Sequence, residues 1–410
     1  MVLSFFYTLL SVVESRVLTC VLDTMKSFLG SGFLALISAS SIAQAVSIPH
    51  PTIKTAKSGT IDLHRDAKAL EAAIARQTNG TGTQKRSVFG PDPVSYAGYW
   101  FADITIDGQN NIKALLDTGS ADLWIYSPST RDDAQGNTIW DPSQGSHTTL
   151  MSGQKFDIGY GTGGNDVTGP VYQAPVCVGE ICVYMAVGSV TGQTNFANDF
   201  SGILGLAFQG GNSVRPNQQP TFLESLVGAL DQPIMSWSLT TDGGQIAFGN
   251  VPFGYTAPFQ QITVDKSSNA RYPYSWSATD IQYTVNGKNL GTFDVVFDTG
   301  GPMMSASESI VRGYYAQVQG ARDVHGDATS WTAPCGSNLP DMRLNFNNGA
   351  FLVVPGKKFF AGNTATSGDC TVWLVRENSA NRAVIGDPFF DEHVVVFNQN
   401  TGSIQWANKA

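Results

Sequence analysis

The tripeptide Asp-Thr-Gly occurs at Asp117-Thr118-Gly119 and again at Asp298-Thr299-Gly300, each time directly after an apolar run. Two unrelated turns would account for the tripeptides, because Asp and Gly are ordinary turn residues. They would not account for an equal spacing downstream. Ile203-Leu204-Gly205 places its glycine 88 residues beyond Asp117, and Val384-Ile385-Gly386 places its glycine 88 residues beyond Asp298. The two halves therefore align at an offset of 181 residues. Upstream, Thr105-Ile106-Asp107-Gly108 precedes the first copy and Thr284-Val285-Asn286-Gly287 the second. Asp-Gly and Asn-Gly between alternating apolar residues signal two-residue hairpins. Each half is expected to run hairpin, apolar strand, Asp-Thr-Gly turn and later an apolar pair closed by Gly, which makes the chain a duplicated unit.

With 410 residues there is room for two substantial cores. The 43 glycines and many short apolar runs favour an all-β fold. Residues 214–230 and 305–319 are the best short-helix candidates. The start of the chain stands apart. Met25-Lys26, the apolar stretch Phe28 to Ile42 and Ala43-Gln44-Ala45 have the charged start, apolar middle and small-residue cleavage site of a secretory signal peptide over 25–45. Residues 1–24 carry Glu14, Arg16 and Asp23, which spoil a spanning helix, so they are expected to be an upstream extension with Met25 as initiator. A membrane anchor built from residues 1–45 is the competing reading. No apolar tail follows Trp406, so no lipid-anchor signal is expected.

Residues 46–86 are polar and lean basic, with one plausible helix over Asp66 to Ala75, and they end in the dibasic pair Lys85-Arg86. This reads as a pro-segment, with a solvated linker as the plainer alternative. Nine of the 24 Lys and Arg and five of the 33 Asp and Glu precede Ser87, so the remainder carries 15 cations against 28 anions. A basic pro-segment over an acidic cleft would be held at neutral pH and released as carboxylates protonate. So few cations make nucleic acid and anionic membranes poor partners. The only Asn-x-Ser/Thr sequon begins at Asn79, within the segment expected to be removed.

Four cysteines lie beyond Ser87: Cys177, Cys182, Cys335 and Cys370. An even number behind a signal peptide reads as two disulfides with three possible pairings. Cys177 and Cys182 would staple a small hairpin, and Cys335 with Cys370 would close a 35-residue loop. No Cys or His grouping has zinc-ligand spacing, so neither metal nor cofactor is expected.

Two carboxyl groups a few ångströms apart cannot both ionise easily, so one gives up its proton readily and the other holds it. The charged one can deprotonate a water while the protonated one donates to a substrate carbonyl, which hydrolyses an amide without a covalent intermediate. Glycosidases also use two carboxylates but do not require them on repeated loops. His147, His325 and His393 sit in no hydrolase motif, and no thiol is left over as a nucleophile.

From about Tyr96 to Trp406 the chain resembles the pepsin-like aspartic endopeptidases. The motifs that carry the resemblance are Leu116-Asp117-Thr118-Gly119-Ser120 with Leu123-Trp124-Ile125, Tyr160-Gly161-Thr162-Gly163, Phe200-Ser201-Gly202-Ile203-Leu204-Gly205, Phe297-Asp298-Thr299-Gly300 and Val384-Ile385-Gly386-Asp387. The resemblance implies a bilobal all-β fold, with an N-terminal lobe over 87–257, a C-terminal lobe over 258–410 and a cleft between them. It implies a monomeric, secreted endopeptidase with protein or peptide substrates, made as a zymogen with its own pro-segment as partner and a vacuolar destination as the lesser alternative. Asp117 and Asp298 would be the dyad, and Thr118 and Thr299 would lock the loops across the lobes. Gly119 and Gly300 would leave room for water, and Ser120 would steady Asp117. Tyr160, Gly161 and Thr162 would belong to a flap, with Trp124 as hydrogen-bond partner of Tyr160. Phe200 and Ile203 would wall a pocket. The family position occupied by Thr162 is acidic in fungal members that accept Lys on the acyl side, so apolar or aromatic residues are expected on both sides of the cut.

The chain departs from the family after the second Asp-Thr-Gly, where Gly301-Pro302 replaces residues with hydroxyls. Asp298 would then lack the donor that Ser120 offers Asp117, and the protonated carboxyl would more often be Asp298. The same feature supports a rival reading, an inactive member of the fold that binds peptides or inhibits another enzyme.

Overall fold

The computed structural model describes residues 59–66 and 99–410, apart from 131–133, 135–136, 161–164, 193–199, 241–242, 267–269, 364–367 and 378–380. Asp107 and Gly108 have φ of 47° and 81°, and Asn286 and Gly287 have φ of 51° and 73°. Two successive positive φ values suit the tight turn whose twist matches that of paired strands. These turns join Tyr99–Ile106 to Gln109–Asp117 and Ser277–Val285 to Lys288–Phe297.

The duplication is visible in register. Gln109–Asp117 runs parallel to Gly202–Gly205 with Leu116 opposite Leu204, and Lys288–Phe297 runs parallel to Arg382–Ile385 with Phe297 opposite Ile385. Each pairing is the other displaced by the same 181 residues. The residues leading into each Asp-Thr-Gly, Ala114 to Leu116 and Phe293 to Phe297, are buried on both faces. That explains why these strands read as continuous apolar runs rather than alternating ones.

Among the described residues three sheets carry the fold, and it is mostly strand. A seven-stranded sheet and a four-stranded sheet belong to the second half. The largest, of thirteen strands, joins the halves, since Ile234–Thr240 pairs with His393–Asn398, which pairs in turn with Ser403–Lys409. Within it Gly59–Asp66 lies between Gly243–Phe248 and Tyr99–Ile106. A strand upstream of Lys85-Arg86 is thus an interior member of the sheet. The helix expected over Asp66 to Ala75 does not include Asp66, which ends this strand, and residues 67–75 lie outside the described residues. So do residues 1–45.

Buried indoles tie the halves together. Trp100 Nε1 donates to Asp387 Oδ1 at 2.6 Å, and Trp276 Nε1 donates to the Leu206 carbonyl at 3.0 Å. Helices form inside both expected windows but are shorter, Phe222–Leu226 and Glu308–Tyr315. Thr221 and Glu224 close a reciprocal capping box that starts the first. The second buries Ile310, Val311, Tyr314 and Tyr315 on one face. Of the three possible disulfide pairings, the structure has Cys177–Cys182, whose residues face each other across a hairpin, and Cys335–Cys370. Among the described residues no helix is long and apolar enough to cross a membrane.

Candidate active site

Both Asp-Thr-Gly turns arrive at one point. Thr118 Oγ1 donates to the Phe297 carbonyl at 2.9 Å, and Thr299 Oγ1 donates to the Leu116 carbonyl at 2.8 Å. Each hydroxyl also accepts from the opposite threonine's N–H, Thr299 N to Thr118 Oγ1 at 2.9 Å and Thr118 N to Thr299 Oγ1 at 3.1 Å. Both threonines are buried, so these four bonds satisfy groups that water does not reach. The arrangement is two-fold symmetric to within a few tenths of an ångström.

The glycines are demanded by close approach. A Cβ on Gly119 would lie 2.5 Å from Cγ and Oδ2 of Asp298, and a Cβ on Gly300 would lie 2.5 Å from Oδ1 of Asp117. Gly205 and Gly386, the glycines that end the apolar pairs, face the chain just past each site. A Cβ there would meet the Asp122 N at 2.6 Å and the Gly301 carbonyl at 1.8 Å. This packing explains why both halves end the pair in Gly.

The two aspartates have unequal surroundings. Asp117 is buried, and its Oδ1 accepts from the Gly119 N–H at 2.7 Å while its Oδ2 accepts from the Ser120 hydroxyl. Asp298 Oδ1 accepts from the Gly300 N–H at 2.8 Å, and Gly301 brings it no hydroxyl. Asp298 keeps an edge open to the cleft but lies deep enough that burial is the first cause holding its carboxyl well above the usual range. The charge on Asp117 and a hydrogen bond between the two carboxyls push the same way, Glu377 adds to them, and the Gly300 N–H opposes. Asp298, with one donor and a raised proton affinity, is therefore the better placed of the pair to hold a shared proton, beside an Asp117 that accepts from two donors.

Around the pair opens a cleft of about 450 Å³. Tyr160 ends the strand Thr149–Tyr160 and reaches over it, its hydroxyl accepting from Trp124 Nε1 at 2.8 Å. Burial raises the Tyr160 hydroxyl well above its ordinary value, with the Asp117 charge adding to it, so it stays a neutral donor. Phe200 and Ile203 line the same cleft, and Phe200 stacks on Phe101 at 5.9 Å between ring centres. Gly161 and Thr162 lie outside the described residues. Every other site residue expected from the sequence is within this constellation.

Several lining residues carry no local signal, among them Tyr99, Leu115, Ser305, Glu377 and Arg382. The repeat offset would have found one of them. Trp124 pairs with Ile203 and Ser305 pairs with Val384, so Ser305 is the counterpart of Trp124 in the second half. Asp122 carries no such signal either; it is buried and accepts from the Ser213 N–H and hydroxyl, bracing the loop after Ser120. Among the described residues no cluster of His, Cys, Asp and Glu is arranged to hold a metal ion.

Comparison with known proteins agrees with the geometry. The sequence pattern of the family described as eukaryotic aspartyl protease matches residues 99–409. Penicillopepsin-2 of Penicillium janthinellum is 28% identical over 381 residues, covering 87% of this chain and 94% of its own length. Endothiapepsin of Cryphonectria parasitica is 32% identical over 352 residues, covering 83% of this chain and 82% of its own. Penicillopepsin-1 of Talaromyces stipitatus is 30% identical over 370 residues, covering 88% and 89%.

Proposed function

This chain belongs to the eukaryotic aspartyl protease family and is an aspartic endopeptidase, and from that premise we propose that Asp117 and Asp298 hydrolyse internal peptide bonds at acid pH. The observation that carries the proposal is the mutual approach of the two turns, in which only glycine at 119 and 300 leaves each carboxyl open to the other. Asp117 takes a proton from a water held between the carboxyls, and the resulting hydroxide attacks the scissile carbonyl carbon. Asp298 gives its proton to the carbonyl oxygen, so the intermediate is a neutral diol. Asp117 then returns its proton to the amide nitrogen, the C–N bond breaks, and one diol hydroxyl returns its proton to Asp298. Acid pH is required because Asp298 must keep its proton, and its raised affinity extends the working range upward.

Thr118 and Thr299 hold the two loops in register, and Ser120 keeps Asp117 an acceptor. Tyr160, fixed by Trp124, closes over bound substrate and excludes water from it. The wall of Leu115, Phe200 and Ile203 takes an apolar or aromatic side chain on one side of the cut. Gly301-Pro302 removes a hydroxyl but neither carboxyl, so it favours an asymmetric dyad over an inactive binding protein.

The enzyme is made as a secreted, monomeric zymogen, with 25–45 as its leader and 46–86 as the pro-segment released after Arg86. The strand Gly59–Asp66 supports this reading, because a solvated linker would not occupy the interior of a sheet. With 15 cations against 28 anions beyond Ser87, the chain attracts a basic pro-segment and repels nucleic acid. The test is cleavage of a denatured protein by residues 46–410 after acidification, from about pH 2 to 7, beside Asp298→Asn. No cleavage by the parent overturns the reading, equal cleavage by the variant overturns the dyad, and mass spectrometry checks for a new N-terminus at Ser87.

A further inference from the structure

Apart from Asp117, the described residues on the first-half wall of the cleft carry no charge, and Tyr99, Leu115, Ile158, Phe200 and Ile203 make that wall apolar. The second-half wall is built differently. Val296, Met303 and Val384 give it an apolar base, and beside them stand Ser305, Glu377 and Arg382. Arg382 Nε donates to Glu377 Oε1 at 3.0 Å, and Ser305 Oγ donates to Glu377 Oε2 at 3.2 Å. Glu377 is fixed further by its own N–H, which donates to the Ala306 carbonyl at 2.8 Å.

Arg382 opens the strand Arg382–Ile385 and pairs there with Asp294, on the strand that leads to Asp298. Its place relative to the dyad is therefore set by the same parallel pair that sets Asp298. Its side chain is 35% exposed against 15% for Glu377, so the guanidinium is the more open member of the pair. A guanidinium offers only donors and keeps its charge at any working pH.

We infer that Arg382, held by Glu377, determines specificity on the far side of the scissile bond from the Phe200–Ile203 pocket, where the cleft takes glutamine or glutamate. Such side chains have an apolar stem for Val296, Met303 and Val384 and end in an oxygen that accepts from Arg382. Leucine at that position would cover the ion pair without a hydrogen bond in return. Lysine would bring a second cation against Arg382. The cleft is thus two-sided, in place of the apolar preference on both sides that Thr162 suggested. The inference rests on the dyad reading, which places the scissile bond between these two walls.

The test uses the activated enzyme from the full chain and peptides that share phenylalanine on one side of the cut and carry Gln, Glu, Leu or Lys on the other. Wild type is expected to cleave the Gln peptide with kcat/KM about ten-fold above the Leu and Lys peptides, the size of discrimination expected from covering a polar site without a hydrogen bond in return. In Arg382→Met the ratio of Gln to Leu should fall to unity or below. A ratio of two peptides in one preparation cancels the fraction of folded enzyme, so partial misfolding of the variant does not hide the answer. Equal or faster cleavage of the Leu peptide by wild type overturns the inference, as does an unchanged ratio in Arg382→Met. Cleavage of none of the four by wild type overturns the dyad reading along with it.

Discussion

Gly301 and Ser120 occupy equivalent places, three residues after Asp298 and Asp117, and only one of them bears a hydroxyl. Replacing Gly301 with serine should make the two halves alike. The backbone permits it, because a Cβ at 301 would meet the Asp298 carbonyl oxygen at 3.4 Å, Val384 Cγ1 at 3.6 Å and the Met303 carbonyl at 3.7 Å, all ordinary contacts. The new hydroxyl can donate to the outer oxygen of Asp298, as Ser120 does to Asp117. A hydrogen bond to a charged acceptor contributes about 1.5–3 kcal/mol to the ionised form, which lowers the proton affinity of Asp298 by about 1–2 pH units. Asp298 is the carboxyl that must stay protonated, so the alkaline limb of kcat/KM against pH should move toward acid by that amount. The assay is initial rates on one peptide from about pH 2 to 8 for wild type and Gly301→Ser. An alkaline limb that stays in place or moves upward would refute the assignment of the proton to Asp298.

The same geometry sets three further outcomes. Because the folded pKa of Asp298 is raised, wild type should lose stability as pH rises from the ordinary carboxylate range toward that folded value. Asp298→Asn removes the titration, so its melting temperature relative to wild type should be higher at neutral than at acid pH, and a difference independent of pH would contradict the raised proton affinity. Thr118→Val deprives the Phe297 carbonyl and the Thr299 N–H of a buried partner, which should lower unfolding stability by about 3 kcal/mol in a urea titration; an unshifted midpoint would show that the crossed threonines do not couple the halves. Tyr160→Phe removes the acceptor of Trp124 Nε1 and should reduce kcat/KM several-fold, by about 1 kcal/mol of lost positioning, while undiminished kcat/KM would deny the Tyr160 hydroxyl a role in closure.

Much of this site was legible because duplication leaves its record in sequence order. The 88-residue interval from Asp to Gly recurs because the same parallel strand pair is built twice, and its closing glycine is required wherever the chain past the site crosses it. Asp107-Gly108 and Asn286-Gly287 were readable because a tight hairpin needs residues that tolerate positive φ. The strand Gly59–Asp66 was not readable. Its pairing is made by backbone groups with partners as distant as Phe248, and a polar stretch of sequence holds no trace of them. Glu377 and Arg382 were equally silent, since two charged residues a few positions apart usually mark a solvated surface.

The amino-acid order alone determined that two Asp-Thr-Gly turns end equivalent strands and that Ser120 has no counterpart at 301, because these are properties of neighbours along the chain. Only the tertiary structure decided that the two carboxyls meet, that burial and the charge of Asp117 raise the proton affinity of Asp298 beyond what the missing hydroxyl implied, and that an ion pair faces an apolar wall across the cleft. Proximity and desolvation belong to packing between segments some 181 residues apart, and no local pattern encodes them.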